Sequence, residues 1–148
     1  AARIGGIVAG HDQATIDALT DFGNAYGMVF QIVDDILDVT ATDEQLGKPA
    51  GHDMVEGVYT LPVLRTLATN STAADELADL LGSPLDDAQQ QRALTIVRSN
   101  EGVVSAMATA REYAQRAEDA VAGFADTPAT EALRTASRVL LDSAVVPA

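Results

Sequence analysis

Apolar residues return every three or four positions through Ile16, Leu19, Phe22, Tyr26, Val29, Phe30, Val33, Ile36 and Leu37. A stripe of that length at a period near 3.6 fits an amphipathic α-helix and no other regular element. The spacing predicts one helix over residues 12–41, with Asp12 at its N-cap and Tyr26, Val29, Phe30 and Val33 on its core side. Helical spacing recurs over 61–67, 73–81, 86–98, 103–124 and 130–145, broken by Asn-Ser, Gly-Ser-Pro, Asn-Glu-Gly and Asp-Thr-Pro sequences. Residues 47–59 carry Gly and Pro without a helical stripe and read as an ordered loop, with helix resuming near Thr60 and Pro62 in its first turn. No segment alternates as a strand, so the expected fold is all-α, a helical bundle occupying residues 1–148 as a single region.

Composition narrows the function classes. Hydrophobic residues make up 47% and charged residues 21%, which rules out intrinsic disorder despite a net charge of -13. The acidic balance also argues against nucleic acid, which needs a clustered positive surface. With no Cys there is no disulfide framework, thiolate nucleophile or thiolate zinc site. The longest uncharged stretch, residues 22–33, falls short of the roughly 20 apolar residues of a bilayer span, and no basic segment precedes an apolar one. A soluble, cytoplasmic protein without a transmembrane segment is expected. The chain lacks an initiator Met, and its first residues already carry a helical pattern, so a portion of a longer protein is expected.

The charge is concentrated. Between Asp12 and Glu56 stand ten acidic residues and one basic residue, Lys48. At about 100° per residue, Asp34, Asp38, Gln31 and Asp35 share an arc of roughly 100°, with Asn24 and Gly27 on it, apart from the apolar arc. No Lys or Arg lies between Arg3 and Lys48 to pair with these carboxylates, and like charges at i,i+4 are mildly destabilising. Three carboxylates on one helical face suit hard Mg²⁺, which favours one or two carboxylates with water and phosphate oxygens completing its shell. The bland alternative is a solvated acidic face. Gly23 and Gly27 cost roughly 1 kcal/mol each against Ala, which is tolerable where another backbone or a substrate chain comes close.

The surrounding residues sharpen the choice. Phe30-Gln31-x-x-Asp34-Asp35-x-x-Asp38 is followed by Gly47-Lys48-Pro49-x-Gly51-x-Asp53 and by Gly57-x-x-Thr60-Leu61-Pro62. This combination resembles the trans-type polyprenyl diphosphate synthases, densely over residues 23–64 and only as generic helix beyond. The resemblance implies part of an isoprenoid synthase fold, the C-terminal half, often as a homodimer or, for the portion alone, a self-associating helical fragment. It implies that Asp34, Asp35 and Asp38 are the second of two aspartate-rich motifs and bind Mg²⁺ bridging to an allylic diphosphate. Phe30 and Gln31 would line the substrate pocket, Lys48 would hold the diphosphate, and Asp34 and Lys48 would be the catalytic pair. Asp53 would support the loop or the metal's surroundings. The implied reaction joins isopentenyl diphosphate to the allylic diphosphate.

Two departures accompany the resemblance. Val58 stands where the family usually has a lysine, and nothing here corresponds to the first aspartate-rich motif or to the basic residues that hold isopentenyl diphosphate. The 148 residues alone are therefore expected to be inactive. Asp86-Asp87 lacks a third carboxylate and follows Ser83-Pro84, which fits helix capping. A class I terpene cyclase fragment is a second possibility, disfavoured by the Gly47-Lys48-Pro49 and Thr60-Leu61-Pro62 elements. A non-catalytic helical subunit or regulatory fragment is the third, kept open by Val58 and by the missing counterpart of the family's N-terminal half.

Overall fold

A computed structural model describes residues 1–42 and 50–144. Among these residues every regular element is helical: α1 (Ala2–Val8), α2 (Gln13–Thr40), α3 (His52–Val55), α4 (Leu61–Leu67), α5 (Thr72–Leu81), α6 (Asp87–Ser99), α7 (Glu101–Val121) and α8 (Pro128–Ser143). The all-α expectation holds. None of these helices is long and apolar enough to cross a membrane. Two compact units emerge, residues 1–33 with the described residues from 109 onward, and residues 34–108.

The helix ends follow their sequence signals. Asp12 accepts from the Thr15 N–H at 2.8 Å, as an N-cap should. Thr60 and Thr127 sit at N-cap positions with Pro in the first turns of α4 and α8. Asp86 forms a reciprocal capping box with Gln89, so the Asp86-Asp87 pair does the capping work that its sequence context indicates.

In the first unit Phe22, Ala25, Ala117 and Val121 form a buried cluster, flanked by Tyr26, Tyr113, Phe124 and Leu133. Phe22 and Tyr26 stack with centroids 5.8 Å apart. Arg138 of α8 makes a two-pronged pair with Glu118 of α7 at 2.6 and 2.5 Å. Arg134 donates to the Phe124 carbonyl and to Asp126, at 2.6 and 2.7 Å, fastening the turn that ends α7.

The second unit has its own core of Val39, Ala50, Met54, Val63, Leu77, Leu94, Ile96 and Val97. Full burial of a side chain such as Leu77 or Leu94 is worth about 1.5–3 kcal/mol. The start of α7 lies hard against α4: a Cβ on Gly102 would fall 2.2 Å from Thr66 Oγ1 and 2.4 Å from the Pro62 carbonyl oxygen.

Two expectations need correction. The stretch after residue 50 is not all loop, because Gly51, at φ 73°, turns the chain into the single helical turn α3. Four residues are too few to show a 3.6-residue period, yet they carry Met54 into the core. Phe30, expected on the core side of α2, is 56% exposed. It lies about 60° round the helix from Val33, just beyond the arc holding Val29, Ile32, Val33 and Ile36.

Candidate functional site

The site candidates lie on α2 and just after it. Phe30 and Gln31 are exposed, on the stretch of α2 that belongs to the first unit. Asp34, Asp35 and Asp38 follow within the second unit. Asp34 is exposed, whereas Asp35 and Asp38 retain only 8% and 4% of their surface. Residues sharing one helical arc thus divide into an exposed part and a covered part.

The cover over Asp38 comes from the chain that follows α2. The Gly51 N–H donates to the Asp38 carbonyl at 2.7 Å, and the Asp53 N–H makes a long contact, 3.5 Å, with Asp38 Oδ2. Gly51 is buried, its left-handed backbone admits the turn, and a Cβ there would meet Leu94 Cδ2 at 2.9 Å. Asp53 therefore does lie beside the acidic motif, touching it through its backbone. Gly57 and the Asp53 carbonyl, which accepts from the Val58 N–H at 2.8 Å, complete the turn before α4. Val58 itself is 53% exposed. His52 is exposed and pairs with Glu56 at 3.2 Å.

Gly47, Lys48 and Pro49 lie outside the described residues, and with them the lysine assigned to the diphosphate. Among the described residues no three Asp, Glu or His side chains are arranged to hold a metal ion by themselves. The donor set still fits a hard cation that takes one or two carboxylates and draws its remaining oxygens from water and phosphate. Asp34 is the solvent-facing carboxylate of that set.

The structure bears on the backbone half of the expectation for Gly23 and Gly27. Among the described residues nothing comes within 4 Å of a Cβ built on Gly27, and Gly23 would meet only the Ala2 side chain, at 3.4 Å. Neither marks a backbone approach among the described residues. Close approach occurs instead at Gly102 and at Gly6, where a Cβ would meet Leu19 Cδ1 at 2.8 Å.

Sequence reasoning also missed two side chains of α6. Arg98 donates from Nε to the Val39 carbonyl at 2.6 Å and from a terminal nitrogen to the Ala41 carbonyl at 3.3 Å. Gln90 donates to the Ala50 carbonyl at 2.7 Å. No local pattern announces partners 40 to 59 residues away.

Comparison with known proteins gives a consistent picture. A family model described as Polyprenyl synthetase matches residues 1–97. The chain is 36% identical over 134 residues to nonaprenyl diphosphate synthase of Mycobacterium tuberculosis, covering 90% of this chain and 40% of that protein. Geranylgeranyl pyrophosphate synthase from Corynebacterium glutamicum, solved complexed with calcium and isoprenyl diphosphate, aligns with a TM-score of 0.87 at 35% identity, covering 96% of this chain and 44% of that one. Polyprenyl synthase from Caulobacter crescentus CB15, solved with the same ligands, aligns at 0.86 and 32%, covering 94% and 43%. The chain spans well under half the length of each.

Proposed function

The chain belongs to the polyprenyl synthetase family, and from that premise we propose that it supplies the second aspartate-rich motif of a trans-prenyltransferase making a linear polyprenyl diphosphate. The substrates are an allylic diphosphate and isopentenyl diphosphate. The C–O bond to the allylic diphosphate breaks, the isopentenyl double bond attacks the resulting carbocation, and a proton leaves to restore a double bond. Asp34, Asp35 and Asp38 are the residues for Mg²⁺, whose charge, when bound, stabilises the departing diphosphate. Lys48 holds the same diphosphate as a point charge, and Phe30 and Gln31 line the approach to it.

The observation that carries this reading is the division of the acidic arc. A solvated acidic face would expose all three carboxylates, yet Asp35 and Asp38 are covered while Asp34 faces out beside a turn fastened to the Asp38 carbonyl. Two covered carboxylates beside an exposed one favour a built site over a solvated acidic face. The full reaction draws on groups beyond these 148 residues, so prenyl transfer by this chain alone is not expected. Cytoplasmic residence and self-association belong to the same reading, the latter favoured by exposed Ile4, Ile7 and Val8 on α1.

The test is calorimetric titration of pyrophosphate and of an allylic diphosphate, with and without Mg²⁺, on the wild type, Asp34→Ala and Lys48→Ala. Mg²⁺-dependent binding lost in both variants is the expected result. The same titration repeated on a chain extended to the length of its relatives completes the test. Silence there would sink the assignment.

A further inference from the structure

We infer that Arg98 is a positioning residue for the acidic end of α2, an inference that rests on the functional reading above. The last carbonyls of a helix have no partners within it and must find them elsewhere. At the end of α2 three such carbonyls are taken by distant parts of the same unit: Asp38 by the Gly51 N–H, and Val39 and Ala41 by the single guanidinium of Arg98. Two bonds from one planar fork fix the direction of the last turn as well as its place, because the fork cannot satisfy both carbonyls if the turn rotates. The azimuth of that turn decides where the Asp38 carboxylate points, and one turn back it decides the same for Asp34.

The same helix, α6, also grips the far side of the motif. Gln90, two turns before Arg98, donates to the carbonyl of Ala50, the residue preceding the Gly51 that bonds back to Asp38. Leu94, between them, is fully buried and lies against Gly51. One face of α6 thus presents Gln90, Leu94 and Arg98 to the end of α2 and to the turn that covers Asp38. Arg98 also brings a cation to a helix C-terminus already crowded with carboxylates, where positive charge is favourable. Charge and geometry make separable claims. A lysine keeps the charge and cannot hold two carbonyls in one plane, and the geometric role is the one assigned here.

The experiment compares wild type, Arg98→Lys and Arg98→Gln by calorimetry of pyrophosphate binding across a Mg²⁺ series, together with amide hydrogen exchange. In Arg98→Lys the Mg²⁺-dependent affinity falls about tenfold, the scale typical of lost support for metal ligands. Protection is lost at the Ala41 and Gly51 amides and kept at Leu94. Arg98→Gln shows the same pattern. Wild-type affinity in Arg98→Lys would overturn the inference, since charge alone would then suffice. Lost protection with unchanged Mg²⁺ dependence would overturn it as well, reducing Arg98 to a staple. Should either Arg98 variant fail to fold, Gln90→Met, which releases only the Ala50 carbonyl, is read by the same two measurements, and an unshifted affinity there counts against the inference. An extended wild-type chain of its relatives' length that binds no pyrophosphate with Mg²⁺ would instead refute the functional reading, a distinct result.

Discussion

Gly102→Ala should be among the most damaging single-methyl additions to this protein. The new Cβ would lie 2.2 Å from Thr66 Oγ1, 2.4 Å from the Pro62 carbonyl oxygen and 2.9 Å from the Thr66 amide nitrogen. Two of these three atoms are backbone and cannot swing aside. The third belongs to a fully buried threonine whose hydroxyl donates to that same Pro62 carbonyl at 2.9 Å, so turning it away breaks a buried hydrogen bond. Overpacking costs about 1–3 kcal/mol and the orphaned hydroxyl about 1–3 kcal/mol. Against these, Ala gains about 1 kcal/mol over Gly in a helix. The net is a loss of about 3 kcal/mol, which for a chain of this size lowers the melting temperature by roughly 6–12 °C. Thermal unfolding followed by circular dichroism measures it, and the double variant with Thr66→Ala should recover part of the loss. A Gly102→Ala protein within about 0.5 kcal/mol of wild type would refute the close approach of α7 to α4.

Gly27→Ala, where nothing described lies within 4 Å of the new Cβ, should stabilise by about 0.5–1 kcal/mol in the same melts; a loss would show that the position is sterically occupied. The Glu76 carboxyl is held below its usual range chiefly by the hydrogen bond from Arg92. The unfolded chain therefore takes up that proton at higher pH than the folded one, so the contribution is complete above the unfolded pKa and fades as pH falls through the lowered folded value. Arg92→Gln should flatten that acid limb of the stability–pH curve, and an unchanged limb would contradict the pairing. Val58→Lys restores the cation that the family usually carries at an exposed position and should tighten Mg²⁺-dependent pyrophosphate binding without altering the melt; unchanged affinity would separate this turn from the diphosphate site. Asp34→Ala should abolish binding at undiminished stability, because it removes one of two like charges at i,i+4. Asp38→Ala should reduce both, and equal melts for the two variants would contradict the division of the arc.

The helices were legible because their signals are local. The stripe from Ile16 to Leu37, the cap at Asp12, Pro62 after Thr60 and the capping at Asp86-Asp87 each depend on residues within a few positions of one another, and each stands where the sequence places it. What the sequence hid depends on distant partners. Phe30 looked apolar enough for the core, but the width of the buried arc is set by the elements that cover α2, and it stops at Val33. Gly27 and Gly102 are equally costly by propensity, and only the fold shows that the second touches backbone while the first touches nothing described. Nothing near Arg98 in the sequence marks it, because its partners, the carbonyls of Val39 and Ala41, lie 59 and 57 residues away.

The acidic arc brings both kinds of information together. Sequence spacing puts Asp34, Asp35 and Asp38 on one side of α2 and treats them alike. The fold divides them: the turn through Gly51 and Asp53 closes on Asp38, Asp35 is buried as well, and Asp34 is left outside. That division has an electrostatic consequence. Covered carboxylates act through a medium of lower effective dielectric than water, so their attraction for a cation held by the exposed one is screened less than it would be on a solvated face. A divalent cation alone would still leave unfilled coordination positions, and a diphosphate fills them with oxygens of its own. On the proposed reading the acidic turn suits a metal–diphosphate pair better than either component, which is why Mg²⁺ dependence, rather than pyrophosphate affinity by itself, is the quantity that tests it.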